Sequence, residues 1–452
     1  MLLTEPAARP RADAERGGAD PAATGAARRP WTIQAFATAK ASLGIGVNDG
    51  PRGSNWQALA VPSFRWYFAG SVVSNFGTWL QNTAQVVLAY QLTHSVFWVG
   101  VVTCAQFTSP LLLGPWAGVL TQWLGNWRTL ILTQCASLVI SATLAALQFA
   151  GALSTPWLIA GAVGIGLAYT FALPALSVTV AALVPPEQTK RALAMDSVSY
   201  NLGRALAPVL SVIVFMNVGF GLAFALNAAS FGFFTGVLLC LRPSRAPTEG
   251  GRSRVMSGFH IARDDRRIMI LLLMVAAVTI AADPILVLGP SLARSFGDSA
   301  YWSGIFITAL GAGNVLGSLR PSGQKASIRQ AAAALGVLSV AMMIFITSRS
   351  IWFSVIAAGV AGMACLVAGA TLRTLLLKHA GGTAQQAAVM AAWAVAWAGS
   401  KPIASFADGT LASLIGLRPT GILLALPALV PALVLVGYPE FGKRLVRHVA
   451  FR

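Results

Sequence analysis

From Trp66 onward the chain is divided into twelve apolar runs, at approximately 66-90, 98-120, 129-149, 157-183, 192-216, 221-241, 268-288, 303-319, 331-347, 352-377, 387-411 and 415-437. Each is close to the roughly 20 residues an α-helix needs to cross a bilayer. In lipid every backbone polar group must be satisfied within the protein, so serial runs of this length fold as membrane-spanning helices. Only 10% of the residues are charged, against about 25% in soluble proteins. The fold expected is therefore an all-α polytopic membrane protein with twelve transmembrane helices in two six-helix halves.

The division into halves comes from residues 242-267, which hold seven arginines, two prolines and several Gly and Ser. The expected organisation is a basic, disordered tail over 1-63, a first half over 64-241, a central loop over 242-267, a second half over 268-437 and a basic tail over 438-452. Net charge is +18, which in a soluble protein would suggest nucleic acid. Here the charges lie between apolar runs. The side holding both tails and the central loop carries 27 of the 32 Lys and Arg, including Lys443 and Arg444, and the other side carries Arg294, Arg349 and Arg418. By the positive-inside rule, both termini are cytoplasmic. The excess charge is a topology signal, and no nucleic-acid partner is implied. Residues 1-63 contain no signal-peptide apolar region, so the expected location is a multi-pass plasma or inner membrane.

Enzyme chemistry finds no support. The four cysteines are scattered through apolar runs, and the four histidines lie at loops or ends, which suggests neither a disulfide framework nor a metal site. Neither a phosphate-binding loop nor a nucleophile elbow is present. No cofactor and no metal are expected.

Twelve spans arranged six plus six resemble the major facilitator superfamily, whose parallel halves meet around a midplane substrate site. Ser74-Asn75-Phe76-Gly77-Thr78-Trp79-Leu80-Gln81, then Leu92-Thr93-His94-Ser95, then Gly114-Pro115 through Gly118, resemble the first two spans of the group containing enterobactin exporters and macrolide efflux proteins. Val184-Pro185-Pro186-Glu187 and Ala192 through Arg204 are similar to the fourth loop and fifth span of that group. Within the fifth run, Gly203, Ala207, Pro208 and Ser211 resemble the antiporter motif associated with exporters. The resemblance implies a secondary-active exporter of a siderophore, drug or amphipathic metabolite. One departure concerns the cytoplasmic gate motif after the second span. Gly118 and Arg128 are present, but Gln122 stands where that motif has an acid and Trp123 where a base follows. A charge-paired latch cannot form at Gln122.

Charged side chains are costly at bilayer depth and are expected to face a cavity or a partner. Arg204 lies near the middle of the fifth run, with Asp196 two turns earlier on nearly the same face. Asp283 and Asp408 are its candidate partners. Lys401 shares a helical face with Trp393 and Trp397, so Trp397 is expected at the ammonium group. Gly203, Ala207 and Ser211 recur every four residues, which allows a second helix to approach closely. In the first run, Asn75, Asn82 and Gln85 share a face with Gln81 beside it, and Gln106 lies in the second run. Such amides suit either a polar cavity or helix association.

The function expected is proton-coupled export of a small organic molecule by alternating access, in a monomer, with Asp283 or Asp408 carrying the proton. The altered gate motif leaves a second possibility, a transporter-like membrane sensor or assembly partner without flux.

Overall fold

The structure, a computed structural model, describes residues 55–241, 261, 263–297, 299–318, 326–380 and 383–437. The expected tails and most of the central loop lie outside these residues. A short 3-10 turn, Asn55–Ala60, precedes twelve long helical units. The first six are α1 (Pro62–Thr93), α2 (Val96–Leu124), α3 (Asn126–Phe149), α4 (Thr155–Ala182), α5 (Thr189–Asn217) and α6 (Phe220–Cys240). The seventh, α7, crosses as Arg266–Arg294 in three pieces, Arg266–Ala282, Pro284–Val287 and Gly289–Arg294. The remainder are α8 (Ser299–Ser318), α9 (Ile328–Thr347), α10 (Ile351–His379), α11 (Thr383–Ile415) and α12 (Leu417–Gly437).

Nine of the twelve are long and apolar enough to span a membrane by composition alone among the described residues. The other three, α1, α8 and α11, owe their weaker hydropathy to polar and small side chains that face protein rather than lipid. Ser71, Gln81 and Gln85 of α1, Ser303 of α8 and Ser405 and Asp408 of α11 are all buried. Breaks in α7 fall at Asp283 and Leu288, just ahead of Pro284 and Pro290, because each proline lacks the N–H that would extend the ladder. At the one-residue connection between α2 and α3, Gly125 has φ 86°, a conformation in which a Cβ would clash.

Within the first half, α1 packs on α5 and α6, α2 on α4, and α3 on α4 and α6. Within the second, α8 and α9 both pack on α10, α9 on α12, and α7 on α10, α11 and α12. The halves meet along two main seams, α2 with α11 and α5 with α8. Both depend on missing side chains. A Cβ on Gly100 would strike the Ser405 carbonyl, one on Gly409 would crowd Phe97, and one on Gly311 would strike the Ala205 carbonyl. Phe97 and Phe406 close the α2–α11 seam with ring centroids 6.3 Å apart. These contacts extend from the end holding the α1–α2 connection toward mid-span.

A buried amide cluster ties the first half together. Asn227 Nδ2 donates to Gln81 Oε1 at 2.8 Å and to Ser141 Oγ at 3.3 Å, joining α6, α1 and α3. Gln85 Nε2 donates to the Leu158 carbonyl of α4. Asn227→Leu strands these polar atoms and crowds Gly77, so it should destabilise the protein by about 1–2 kcal/mol. The check is a lowered thermal midpoint in detergent, with exposed Asn217→Leu as a control that leaves the midpoint unchanged.

Candidate functional site

A cavity partly open to solvent occupies the first half. All six helices of that half contribute: Ser71, Ser74, Asn75, Thr78, Trp79 and Asn82 of α1, Gln106 and Phe107 of α2, Gln134 and Ser137 of α3, Ile165 to Leu176 positions of α4 including Tyr169, Tyr200 of α5, and Phe231 and Phe234 of α6. Its described lining carries no charge. Gln106 Nε2 donates to Asn82 Oδ1 at 2.8 Å, and Asn75 Nδ2 donates to Ser199 Oγ at 2.9 Å. Gln134 Oε1 is buried without a hydrogen-bond partner.

The amides anticipated in the first span therefore separate into two sets. Asn75, Asn82 and Gln106 line the cavity, whereas Gln81 and Gln85 are helix-packing groups on α6 and α4. Residues seven apart, such as Asn75 and Asn82, lie nearly in line on a helix. A displacement of one residue turns Gln81 by about 100° onto another neighbour.

Arg204 stands where the halves touch. Its guanidinium carbon lies 5.8 Å from the ring centre of Trp79 in α1 and 5.8 Å from that of Trp397 in α11. The small face of α5 packs directly on α1: Gly203 rests against the Asn75 backbone, and Ser211 Oγ donates to the Leu80 carbonyl at 2.8 Å. Ala207 and Pro208 are buried in the same helix. Lys401 Nζ lies 4.4 Å from the Phe107 ring centre. Sequence pattern assigned Trp397 to Lys401 and an acid to Arg204. The tertiary structure instead assigns Trp397 to Arg204 and Phe107 to Lys401, because the contacts are made across the seam rather than along one helix.

The acids form a separate set. Asp196 Oδ1 accepts from Tyr67 Oη at 3.3 Å and Ser71 Oγ at 3.2 Å, and Ser71 also bonds Ser199. Asp283, in the first break of α7, accepts from Ser405 Oγ at 2.5 Å. One turn before it, the Thr279 hydroxyl bonds that of Ser400, so α7 and α11 are joined at two levels. Asp408 is fully buried, and neither carboxyl oxygen has a hydrogen-bond partner. It feels the charge of Asp283.

Gly118 and Gln122 lie on α2, with side-chain surroundings outside the description, and Arg128 is exposed on α3. Arg373 is exposed and rests 5.3 Å from the Trp393 ring centre. Sequence reasoning missed Trp79, Phe107, Tyr169 and Tyr200 as cavity walls and Ser405 as the donor to Asp283. An aromatic residue in an apolar run carries no mark that separates a cavity wall from a lipid face.

This is the architecture of a polytopic transporter with a cavity beside a seam between two helical halves. The family model for transmembrane secretion effectors, within the major facilitator superfamily, matches residues 53–439, and the chain belongs to that family. No curated protein matches it. Among solved structures, the fold is similar to the nucleoside transporter NupG, with a TM-score of 0.68 at 10% identity, covering 84% of this chain and 99% of that one. It is also similar to a bacterial homolog of the human lysosomal transporter Spinster in an inward-facing, unoccupied conformation, with TM-score 0.67, 12% identity and coverage of 86% and 99%. A third likeness is PepTSo, a POT family transporter, with TM-score 0.61, 13% identity and coverage of 85% and 99%.

If Arg204 and Trp397 hold the seam together, their contribution is measurable. A double-mutant cycle with Arg204→Gln and Trp397→Leu should give a coupling of about 1 kcal/mol. Thermal unfolding of the four purified proteins in detergent checks it, and additive effects would remove the contact from the account.

Proposed function

We propose that the protein is a secondary-active exporter of a small organic molecule, working as a monomer by alternating access, with protons as the coupling ion. Asp408 carries this reading: a fully buried carboxyl group with no hydrogen-bond partner, within the field of Asp283, on a helix that bridges both halves. Ionised carboxyl groups so placed are mutually repelling and poorly solvated, so a proton on one of them relieves both. Protonation there is linked mechanically to the rest of the bundle. Asp283 sits at the break in α7, and Ser405 ties it to α11, whose Lys401 and Trp397 meet α2 and α5 across the seam.

Export, rather than uptake, is favoured by the similarity of Gly203, Ala207, Pro208 and Ser211 to the antiporter motif, and by the close packing of that face on α1. Both termini are placed on the cytoplasmic side by the Lys and Arg asymmetry, in a plasma or inner membrane. Siderophores, drugs and amphipathic metabolites are the cargo types that fit the group resemblance.

In everted membrane vesicles, a panel of anionic, neutral and cationic fluorescent dyes should include one that accumulates with an imposed proton gradient and is released by a protonophore. Asp408→Asn should abolish gradient-driven accumulation while leaving dye exchange down its own gradient. Accumulation indifferent to the protonophore would sink the coupling. Dye binding without flux would favour a sensor, the alternative raised by Gln122.

A further inference from the structure

Two cations at the seam stand behind rings of the cavity lining, without being lining residues themselves. Arg204 lies against Trp79 and Lys401 against Phe107, and both rings line the first-half cavity. Among the described residues neither cation has an ion-pair partner or a hydrogen-bond acceptor. Each lies within electrostatic reach of the other, and Cys365 of α10 is within reach of both, so the two positive groups converge on one region.

The nearby acids are directed elsewhere. Asp196 is occupied by Tyr67 and Ser71. Asp283 offsets part of the Lys401 charge from α7, but its hydrogen bond goes to Ser405. Arg204 is left with five donors and only aromatic faces, a fork suited to the paired oxygens of a carboxylate, sulfonate or phosphate. Beside it, the cavity presents Trp79, Phe107, Tyr169, Tyr200, Phe231 and Phe234. Its uncharged polar groups include Gln134, whose buried Oε1 has no partner and would accept from a donor on the occupant.

We propose that the cavity takes an organic anion, its aromatic or apolar body seated in the first half and its acidic group held by Arg204 and Lys401 at the Trp79–Phe107 wall. A cationic amphipath of the same size meets two positive charges and no lining carboxylate. A neutral one leaves Arg204 without a counterion and Lys401 only partly offset by Asp283. The assignment deepens the exporter reading and rests on it for its meaning, although binding is measured without transport.

The test is equilibrium dialysis of the full-length protein in nonionic detergent against naphthalene-2-carboxylate, its neutral carboxamide and the corresponding naphthylmethylammonium. The carboxylate should bind on the order of tenfold tighter than the carboxamide, with the ammonium weakest. Arg204→Gln and Lys401→Gln should each narrow the gap between acid and amide. Arg204→Lys should recover part of it, because charge returns without the planar fork. Thermal midpoints verify that the variants are folded, and the ranking in the unaltered protein decides the matter if they are not. Equal binding of acid and amide, preference for the ammonium, or binding of none above empty micelles overturns the assignment. Anion-selective binding without gradient-driven flux in vesicles removes the exporter reading and leaves this one. Flux restricted to cationic dyes removes this one and leaves that reading.

Discussion

The hydrocarbon core of a bilayer offers no water to a polar group, and the rest of the structure depends on how this chain meets that constraint. Backbone groups are satisfied by helix formation, which explains twelve long helices. Side chains are satisfied by one another across helices. Gln81 with Asn227, Gln106 with Asn82 and Asp196 with Tyr67 and Ser71 all join residues far apart in sequence. Each link also fixes one helix against another. Asp408 departs from this pattern, since it is buried with both oxygens unpartnered, and a departure of that kind is where chemistry beyond packing is expected.

The seam obeys the same constraint differently. Glycines at 100, 311 and 409 bring backbones together, so the described seam rests on close backbone contact, where dispersion contributes. Arg204 and Lys401 are placed on this weakly polar surface, against rings instead of carboxylates. Cation–π contacts hold a charge with no strict geometry, and this suits the proposed alternating-access cycle, in which the two sides separate and rejoin. A salt bridge at the same place would cost more to open.

Length and apolarity made the span count, the six-plus-six division and the membrane class legible, because a helix crossing lipid leaves a run of fixed length in the sequence. The candidate site was legible only in part. Arg204, Asp283, Lys401 and Asp408 stood out because charge in an apolar run is costly wherever it points. Their partners did not stand out. Trp79, Phe107 and Ser405 resemble any aromatic or hydroxyl residue of a membrane helix until a neighbour is placed beside them. Helical periodicity assigned Gln81 and Gln85 to the same seam as Asn75 and Asn82, yet a turn of about 100° per residue was enough to direct them to other helices.

By itself, the sequence determined the solvent this protein lives in, the number of times it crosses that solvent and the positions at which charge would be most expensive. Those properties depend on composition along one helix. Tertiary structure alone decided that the cavity lies inside the first half, that Arg204 is held between Trp79 and Trp397, and that Asp283 is joined to Ser405 rather than to Arg204. These depend on which helix faces which. Residues on α1, α5, α7 and α11 are brought together by packing of the whole bundle, and no local pattern encodes that juxtaposition.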